Sequence, residues 1–433
     1  MNLELNSAHY GGTAGPGTLV EKESRVAVLF YRFGPYHHAR LKAAGARMQV
    51  TGVEFSNVDP MYKWDLVEGA EGFRQVTLFS GVPLEILAAK QILRRVTETL
   101  DQVSPQVVAV PGWSDRCSLA ALWWCLKNRV PAIVMSETTA WDFGRTWYKE
   151  AMKRRLVKMC GAGLVGGQSH LDYLEHLGLD RSKIFLGYDS VDNEYFAAKA
   201  AEIKSQSATA RGYYHLPENY FLASARFVKK KNLLRLIEAY ASYRERKKQL
   251  AGANGSAAAW DLVLLGDGPL QSSIRNQIQK LHLNDHVLLQ GFKQYGELPA
   301  FYALAKVFIH ASTTEQWGLV VNEAMASGLP VLVSDRCGCA LDLVQPGVNG
   351  FRFDPLNVEQ LTELMLQCSA PPTNLATMGK AAADRVANWG VERFADGLNQ
   401  AATVAMQSPA AKASIWDWLQ IGLLLQFKGR ISV

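Results

Sequence analysis

The segment Glu315–Asp335 reads EQWGLVVNEAMASGLPVLVSD and contains a loop, a helical pattern and a buried strand. Gly318 favours a turn directly before the apolar helical pattern that begins near Leu319, and the run PVLV (330–333) is typical of a buried strand. A loop that leads into a helix leaves backbone amides free at the helix N-terminus, where they can bind the oxygens of a diphosphate. The segment therefore predicts an α/β unit with a phosphate-binding loop.

The same order of strand, turn and helix recurs along the chain. A first series of apolar runs comprises RVAVLF (25–30), QVVAV (106–110), PAIVM (131–135) and GLV (163–165). A second series comprises YFLASAR (220–226), DLVLL (261–265), HVLL (286–289), VFIH (307–310) and PVLV (330–333). Alternating buried strands and helices predict an α/β fold of two doubly wound parallel sheets, each covered by helices on both faces. Ligands of such sheets bind beyond the carboxyl ends of the strands, so candidate site residues follow each run.

The composition is that of a globular protein with more than one core. The 433 residues exceed what one hydrophobic core usually organises, and 48% of them are hydrophobic and 20% charged. The formal charge of +6 is spread over both halves, which does not indicate a nucleic-acid partner. No apolar run reaches the ~18 to 20 residues of a membrane-spanning helix, and the N-terminus lacks the basic start of a secretory signal.

The six cysteines form no CxxC pair and have no histidines at metal-binding spacing. We interpret them as reduced, buried thiols of a cytoplasmic protein. Cys337-Gly338-Cys339 is the one close pair, and there a structural turn is favoured over redox chemistry.

Two carboxylates frame the predicted phosphate-binding loop. Glu315 lies in the loop, where a carboxylate can accept hydrogen bonds from sugar hydroxyls, and Glu323 lies about a turn inside the helix, where it can reach a ribose. Taken alone, Glu323 is more often a solvated helix residue, and Lys229–Lys231 is more often a surface charge run. Their interpretation as site residues therefore depends on the motifs around them.

Five ordered segments of the C-terminal half resemble glycosyltransferase family 4, a large group of retaining glycosyltransferases with the GT-B fold. They are ARFVKKKN (225–232), LLGDGPL (264–270), LQGFKQYGELPAFYALAKVFIHAS (289–312), the segment that begins at Glu315, and LVQPGVNGFRF (343–353). The resemblance is dense from about residue 220 to residue 353, and it covers the N-terminal half only in layout.

The resemblance implies a GT-B architecture, in which two Rossmann-like domains face an interdomain cleft. We expect a flexible lead-in (1–24), an N-terminal acceptor domain (25–195), a C-terminal nucleotide-sugar donor domain (196–385) and a helical segment that returns to the first domain (386–433). It also implies a hexosyltransferase that retains the anomeric configuration and needs neither a metal nor a cofactor, since the nucleotide sugar is a substrate. A UDP-sugar is favoured as the donor, with a GDP-sugar next.

The resemblance also assigns roles to residues of the C-terminal half. Glu315 would contact hydroxyls of the donor sugar and Glu323 those of the ribose. Arg226 and Lys231 would neutralise the diphosphate, for which a planar fork and a point charge are suited. Backbone amides would be offered by Gly318, Leu319 and Val320, and the nucleobase would lie along Phe292 and Lys293, with Gly34 facing the donor from the N-terminal half. Lys229 and Lys230 are expected to be solvated.

The N-terminal half departs from the commoner pattern of the family. Its first loop reads Gly34-Pro35-Tyr36-His37-His38 instead of carrying a glycine pair. After PAIVM it has Ser136-Glu137-Thr138, where many relatives have a histidine that faces the donor sugar. Glu137 or Ser136 could take that position, or His37 or His38 could approach from the first loop. Alternatively, these are loop polar groups or a helix cap.

The acceptor side is marked only by aromatic and basic residues. Trp113 and Trp141 follow strand ends and either face a carbohydrate or lipid-linked acceptor, together with His37 and His38, or fill the core. The basic segment KEAMKRRLVK (149–158) is either a solvated helix face or a contact with anionic phospholipid. The tail IWDWLQIGLLLQF (415–427) either packs on the N-terminal domain or enters a membrane interface. The expected location is therefore cytoplasmic, with peripheral membrane association left open.

Other functions on a similar fold make different demands. A nucleotide-sugar epimerase would need no acceptor, a phosphorylase would need lysine-bound pyridoxal phosphate, and a non-catalytic scaffold would only bind the nucleotide sugar. A nicotinamide oxidoreductase would need GxGxxG after the first strand, and residues 25–38 contain none. A glycosyltransferase is therefore the function that we expect.

Overall fold

The computed structural model describes residues 24–58, 67, 69–142, 144–254, 258–371, 373–409 and 411–427. The expected lead-in (1–24) lies, apart from Ser24, outside the described residues, as does the end of the segment 386–433. In these ranges, no helix combines the length and the hydrophobicity that crossing a bilayer requires.

The N-terminal sheet has, within the described residues, seven parallel strands in the order β3-β2-β1-β4-β5-β6-β7. The order reverses between β1 and β4, which is where doubly wound sheets bind their ligands. The strands are β1 (Arg25–Phe30), β2 (Gln49–Ser56), β3 (Arg74–Phe79), β4 (Val107–Pro111), β5 (Ala132–Ser136), β6 (Ala162–Val165) and β7 (Ile184–Leu186). The helices between them are α1 (Pro35–Gly45), α2 (Ala89–Val103), α3 (Arg116–Asn128), α4 (Trp147–Val157) and α5 (Gln168–His176).

The C-terminal sheet has six parallel strands in the described ranges, in the order β10-β9-β8-β11-β12-β13. They are β8 (Tyr220–Ser224), β9 (Asp261–Leu265), β10 (Val287–Gly291), β11 (Val307–His310), β12 (Val331–Ser334) and β13 (Gly350–Phe353). The helices of this half are α6 (Asn193–Ser205), α7 (Ser207–Tyr214), α8 (Leu233–Asn254), α9 (Gln271–Lys280), α10 (Leu298–Leu304), α11 (Leu319–Ala326), α12 (Ala340–Leu343), α13 (Val358–Cys368) and α14 (Leu375–Val386). The prediction of two parallel-sheet units is therefore confirmed.

The apolar runs predicted nine of these strands, but β2, β3, β7 and β13 were not among them. The outer strand β3 reads RQVTLF and is only partly buried, and the end strand β13 reads GFRF with two partly exposed residues. Edge strands bury fewer side chains than central ones, so their sequences carry a weaker apolar signal.

The chain end packs on the N-terminal half. Helix α15 (Val391–Gln407) lies against α1, and Phe394 and Leu398 belong to the same core cluster as β1. Helix α16 (Ile415–Gln426) lies against α3, where the ring centroids of Trp418 and Trp123 are 5.7 Å apart. Helices α15 and α16 thus follow the C-terminal sheet in sequence but pack on the N-terminal half.

The two halves are joined beside the loop that follows β11. The Gln168 amide donates to the Asp342 carboxylate (3.2 Å), and His170 Nε2 lies 2.9 Å from the Gln316 carbonyl. A Cβ on Gly338 would lie 1.7 Å from the Gln316 carbonyl oxygen and 2.8 Å from the His170 ring, so only a glycine allows both this turn and the approach of the other half. Cys337 and Cys339, on either side of it, are buried free thiols, which fits the expected structural turn.

Candidate active site

The centre of the candidate site is a buried ion pair between Lys231 and Glu315. Lys231 ends a short turn after β8, and its Nζ contacts Glu315 Oε2. Both side chains are only 11% exposed, so water screens the pair weakly. The turn and the loop are also joined through the backbone, because the Thr313 amide donates to the Lys230 carbonyl (2.8 Å).

Lys230 departs from the prediction that it is solvated. Its Nζ lies 3.6 Å from Glu315 Oε1, and its side chain is 36% exposed. The three consecutive lysines therefore differ in orientation. Lys229 is exposed, whereas Lys230 and Lys231 point toward Glu315.

Glu315 is held as a carboxylate by its neighbours. His310 Nε2 lies 3.3 Å from Glu315 Oε2, and the Ser312 hydroxyl donates to the same oxygen (3.2 Å). Burial raises the pKa of Glu315, but Lys231, His310 and Lys230 lower it more, so that it lies well below its usual value. His310 was missed by the sequence analysis, although it ends the run VFIH, where a site residue of a parallel sheet is expected.

Glu323 is fully buried and bonded to two tyrosines. Tyr302 of α10 donates a hydrogen bond to its Oε2 (2.6 Å), and Tyr36, in the first turn of α1, donates to its Oε1. Burial raises the pKa of Glu323 to about 7, although both hydrogen bonds lower it. The sequence predicted no role for Tyr36. Its hydroxyl is hydrogen-bonded to Glu323, the carboxylate that is expected to bind the ribose.

We expect Glu323→Gln to reduce the pH dependence of stability. The pKa of Glu323 is about 7 in the folded chain and 4.5 without perturbation, so as pH rises through this window the unfolded state loses its proton first. Wild-type stability should therefore fall by up to about 3 kcal/mol between pH 4.5 and 7, and the glutamine variant should lack this loss. Urea unfolding at pH 5 to 8 measures the difference.

The control for this experiment is Glu98→Gln, because the Glu98 side chain is 51% exposed. It should keep the wild-type slope. Parallel stability curves for the wild type and Glu323→Gln would contradict the raised pKa.

A cavity of about 560 Å³ lies at the carboxyl end of the C-terminal sheet. Its wall includes five predicted site residues, namely Arg226, Lys231, Phe292, Lys293 and Val320, together with Tyr36 from the other half of the chain. Glu315 and Glu323 do not line it, but each contacts a wall residue, Lys231 and Tyr36 respectively. Five of the residues predicted to bind a donor thus line one cavity, and Glu315 and Glu323 lie directly behind its wall.

The turn Gly266-Asp267-Gly268-Pro269 also lines this cavity. It was interpreted as a strand-ending turn, and it does follow β9 directly. Gly268 has φ +150°, and a Cβ there would lie 2.8 Å from the Phe227 carbonyl oxygen. Glycine therefore keeps the turn against the backbone before Lys231 and leaves room in the cavity.

The loop before α11 has the predicted geometry. Gly318 adopts φ +101° at the helix N-cap, a conformation that favours glycine, and a Cβ there would lie 3.4 Å from His310 Nε2. Leu319 and Val320 both pack against the core cluster of the C-terminal half, and Val320 also lines the cavity. The first amides of α11 therefore begin beside Glu315 and next to the cavity wall.

On the N-terminal side, Glu137 belongs to a buried charged cluster that the sequence analysis missed. Its carboxyl group lies near that of Asp189, and both acids interact electrostatically with Arg40 and with Glu315 across the cleft. Asp189 and Arg40 are 1% and 2% exposed. Burial and Glu137 raise the pKa of Asp189 well above its usual value, with Arg40 opposing, and burial also raises the pKa of Glu137. The two acids can therefore share a proton.

The structure places Gly34, His37 and His38 outside the wall of the cavity of about 560 Å³. The Gly34 amide donates to His37 Nδ1 (3.2 Å), so these residues form the capping turn of α1, and desolvation with Arg40 and His38 lowers the pKa of His37 to about 3. His38 packs against Phe33 and Phe73. Among the described residues, the alternative of a helix cap fits His37 better than a role in catalysis. Gly34 likewise has its amide engaged and does not line the donor cavity.

Ser136 and Trp113 also have structural surroundings. Ser136 is 5% exposed, and its hydroxyl accepts a hydrogen bond from the Thr138 amide (3.2 Å). Trp113 is 6% exposed and belongs to the core of the N-terminal half. The acceptor role suggested for Trp113 is corrected by this burial, because a core indole has no face to offer a ligand.

Trp141 lines a second cavity, of about 400 Å³, at the edge of the cleft. The wall also contains Arg145, Glu150 and Tyr173 from the N-terminal half and Leu341 from the other half. Arg145 stacks on Tyr173, with its guanidinium carbon 4.3 Å from the ring centroid. Trp141 Nε1 is buried without a hydrogen-bond partner in the described parts of the chain.

Residues 214–385 match the model of the family described as glycosyl transferases group 1. The chain is 32% identical to sulfoquinovosyl transferase SQD2 of Arabidopsis thaliana over 160 residues. This alignment covers 36% of this chain and 29% of that protein. Over 159 residues it is 30% identical to the alpha-monoglucosyldiacylglycerol synthase of Acholeplasma laidlawii, with 36% of each chain covered. The matches therefore span about a third of these curated relatives.

The whole fold has solved counterparts. The complex of Alr3699/HepE from Anabaena with UDP superposes with a TM-score of 0.64 and 16% identity, covering 87% of this chain and 98% of that one. Sucrose-phosphate synthase from Thermosynechococcus elongatus superposes with a TM-score of 0.65 and 19% identity over the same shares. The predicted GT-B architecture of two Rossmann-like domains is thereby confirmed.

Proposed function

We propose that the protein is a glycosyltransferase that moves a sugar from a nucleotide diphosphate donor, bound by the C-terminal half, to an acceptor in the cleft. The observation that carries the proposal is the buried Lys231–Glu315 pair at the wall of a cavity that Arg226 and Lys293 also line. A cavity with several cations on one wall suits a diphosphate, and a fixed carboxylate suits the hydroxyls of a sugar. The family match of residues 214–385 supports the same function.

In this proposal the diphosphate lies between Arg226, Lys231 and the first amides of α11. The nucleobase lies along Phe292 and Lys293, and the ribose replaces the Tyr36 hydroxyl on Glu323. The exchange is balanced, because one hydrogen bond to a buried carboxylate is lost and another is formed. Donor binding would thus release a contact between the two halves of the chain.

A UDP-sugar is the favoured donor and a GDP-sugar the next. The structural relative Alr3699/HepE has been solved with UDP and with UDP-glucose, which supports the first. A GDP-mannose-dependent mannosyltransferase of Mycobacterium tuberculosis, 30% identical over 42% of this chain, supports the second. Retention of the anomeric configuration without a bound metal is part of the proposal, with Arg226, Lys231 and the α11 amides stabilising the leaving diphosphate electrostatically.

The acceptor is proposed to be a glycan or a lipid-linked molecule that enters by the cavity at Trp141. That cavity is bounded by the Trp141 indole, the Arg145 guanidinium and the Tyr173 ring, and such surroundings suit a sugar or a lipid headgroup. Two of the relatives are named alpha-monoglucosyldiacylglycerol synthase, and a diacylglycerol is a lipid. A lipid-linked acceptor would place the protein at a membrane surface, on the cytoplasmic side.

Binding of nucleotides followed by turnover tests the proposal. Thermal unfolding of the full chain with UDP, GDP or ADP should show a rise of a few degrees for one base at a concentration about 100 times its Kd. The corresponding nucleotide sugars should then release nucleotide faster when acceptor is added. Release without sugar transfer, or conversion of the sugar without an acceptor, would indicate an epimerase instead. Binding without any turnover would indicate a scaffold, and no shift with any nucleotide would end the proposal.

A further inference from the structure

Helix α16 is apolar on the face that packs inward and also on the face that points outward. Its start is fixed by a capping box, in which the Ser414 hydroxyl and the Asp417 carboxylate bond each other's backbone amides. On the inner face, Ile421, Leu424 and Leu425 are at most 4% exposed and belong to the core of the N-terminal half. The helix is therefore a docked element, and its outer residues hold fixed positions.

The outer face of α16 carries a continuous apolar stripe. Ile415, Leu419 and Leu423 are four residues apart and therefore lie on one side of the helix, with Trp416 beside them and Phe427 directly after the last helical residue. The exposed fractions of the first three are 72%, 57% and 64%, and those of Trp416 and Phe427 are 62% and 55%. These five large, exposed apolar side chains are close together, whereas an ordinary protein surface carries such residues singly.

Helix α4 lies beside α16 and is basic on its outer side. The Gln420 side chain donates to the Met152 carbonyl (2.9 Å), and Arg155 Nε lies 4.0 Å from the Asp417 carboxylate. Arg154, Arg155 and Lys158 are exposed. The acidic residue of this helix, Glu150, is turned inward to Lys153 (3.0 Å), so it does not cancel the outer charges.

Aromatic residues extend this surface at the start of α4. Trp147 is 83% exposed and Tyr148 is 49% exposed. Tryptophan and tyrosine are favoured at the boundary between water and lipid, where an apolar ring and a polar atom are both satisfied.

We propose that α16 and α4 together form a membrane-binding surface that lies on an anionic phospholipid bilayer. The apolar stripe would enter the boundary between headgroups and acyl chains, and the basic side chains of α4 would contact the lipid phosphates. A second copy of the chain would bring the same positive charges together, which disfavours a symmetric dimer through this face.

This surface adjoins the cavity that the proposed function assigns to the acceptor. Glu150 of α4 lines that cavity, and Trp141 lies in the loop that precedes the helix. A membrane held against α4 would therefore lie beside the cavity. This last step rests on the proposed function, whereas membrane binding itself does not.

Flotation of the full chain with vesicles tests the surface. We expect the protein to float with vesicles that contain phosphatidylglycerol and to float less with pure phosphatidylcholine. Ile415→Ser, Trp416→Ser, Leu419→Ser and Leu423→Ser in one variant should weaken binding roughly a hundredfold, because four exposed apolar side chains no longer enter the lipid. The matched control carries Ile86→Ser and Leu356→Ser, which are 73% and 61% exposed elsewhere, and it should float like the wild type.

The charges are tested separately. Arg154→Glu with Lys158→Glu should weaken binding to anionic vesicles by at least about tenfold, since each basic residue near the surface adds to the attraction. Lys90→Glu with Lys280→Glu makes the same charge change on exposed residues of other helices and should leave binding unchanged.

Three outcomes would overturn the proposal. One is a wild type that does not float, and another is flotation that the serine variant keeps in full. The third is a wild-type dimer that becomes a monomer in the serine variant, with no lipid binding by either form. Flotation requires no turnover, so its failure and a failure of the proposed sugar transfer are distinguishable.

Discussion

Lys231→Met is expected to lower kcat for sugar transfer roughly a hundred- to a thousandfold. Lys231 contacts Glu315 and lines the donor cavity, so it is placed to stabilise the negative charge that develops on the leaving diphosphate. Removal of one preorganised group of this kind from an active site costs about 3 to 4 kcal/mol of transition-state stabilisation. Steady-state kinetics with the donor identified by thermal unfolding measure the loss.

The neighbouring lysine provides a matched control. Lys229 is exposed two residues earlier in the same turn, and Lys229→Met should keep kcat within about twofold. Glu315→Gln and the double variant complete a cycle, in which the losses should not add because the two side chains are in contact. Equal losses of kcat for Lys229→Met and Lys231→Met would show that only the total positive charge of the turn affects the rate. That result would contradict a specific role of Lys231 in stabilising the leaving diphosphate.

Glu137→Gln is expected to lower kcat about a hundredfold while donor binding stays unchanged. Glu137 and Asp189 form a buried acid pair that interacts with Glu315, so a proton held there lies near the proposed reacting centre. Glutamine has the same shape and can still bond Asp189, but it cannot exchange a proton, and loss of a positioned acid or base typically costs ~10² to 10⁴ in rate. Turnover and the shift of Tm with nucleotide separate catalysis from binding.

The fold should survive this substitution. Removing one of two neighbouring buried acids relieves their repulsion and leaves Asp189 with Arg40, so the Tm of Glu137→Gln should be equal to or above that of the wild type. Glu98→Gln makes the same chemical change at an exposed site and should keep full turnover. Unchanged turnover in Glu137→Gln would remove Glu137 from the candidate catalytic residues.

The contact between Tyr36 and Glu323 suggests how the two halves respond to a donor. It joins the first turn of helix α1 to helix α11, and it involves the Glu323 carboxylate to which the ribose is proposed to bind. Two other contacts between the halves, at Asp342 and Gln316, involve none of the wall residues of the donor cavity. Donor binding would therefore exchange one local contact without separating the two sheets.

The sequence by itself determined the architecture and half of the site. Central strands such as β1 and β8 are buried along nearly their whole length, so their apolar runs were visible without any partner. The loop at Gly318 and the residues Glu315, Arg226 and Lys231 could be predicted because they lie in ordered motifs next to those strands. Local sequence is sufficient where a residue's role follows from its own turn or strand end.

The tertiary structure alone decided the other half of the site. Tyr36 meets Glu323, and Glu137 meets Asp189, across long intervals of sequence, and no local pattern records such a pairing. Trp113 was misplaced for the same reason, because whether an indole after a strand faces a ligand or the core depends on what later packs on it. Burial and long-range contacts arise only when the whole chain folds, and they set the charge and exposure of each side chain.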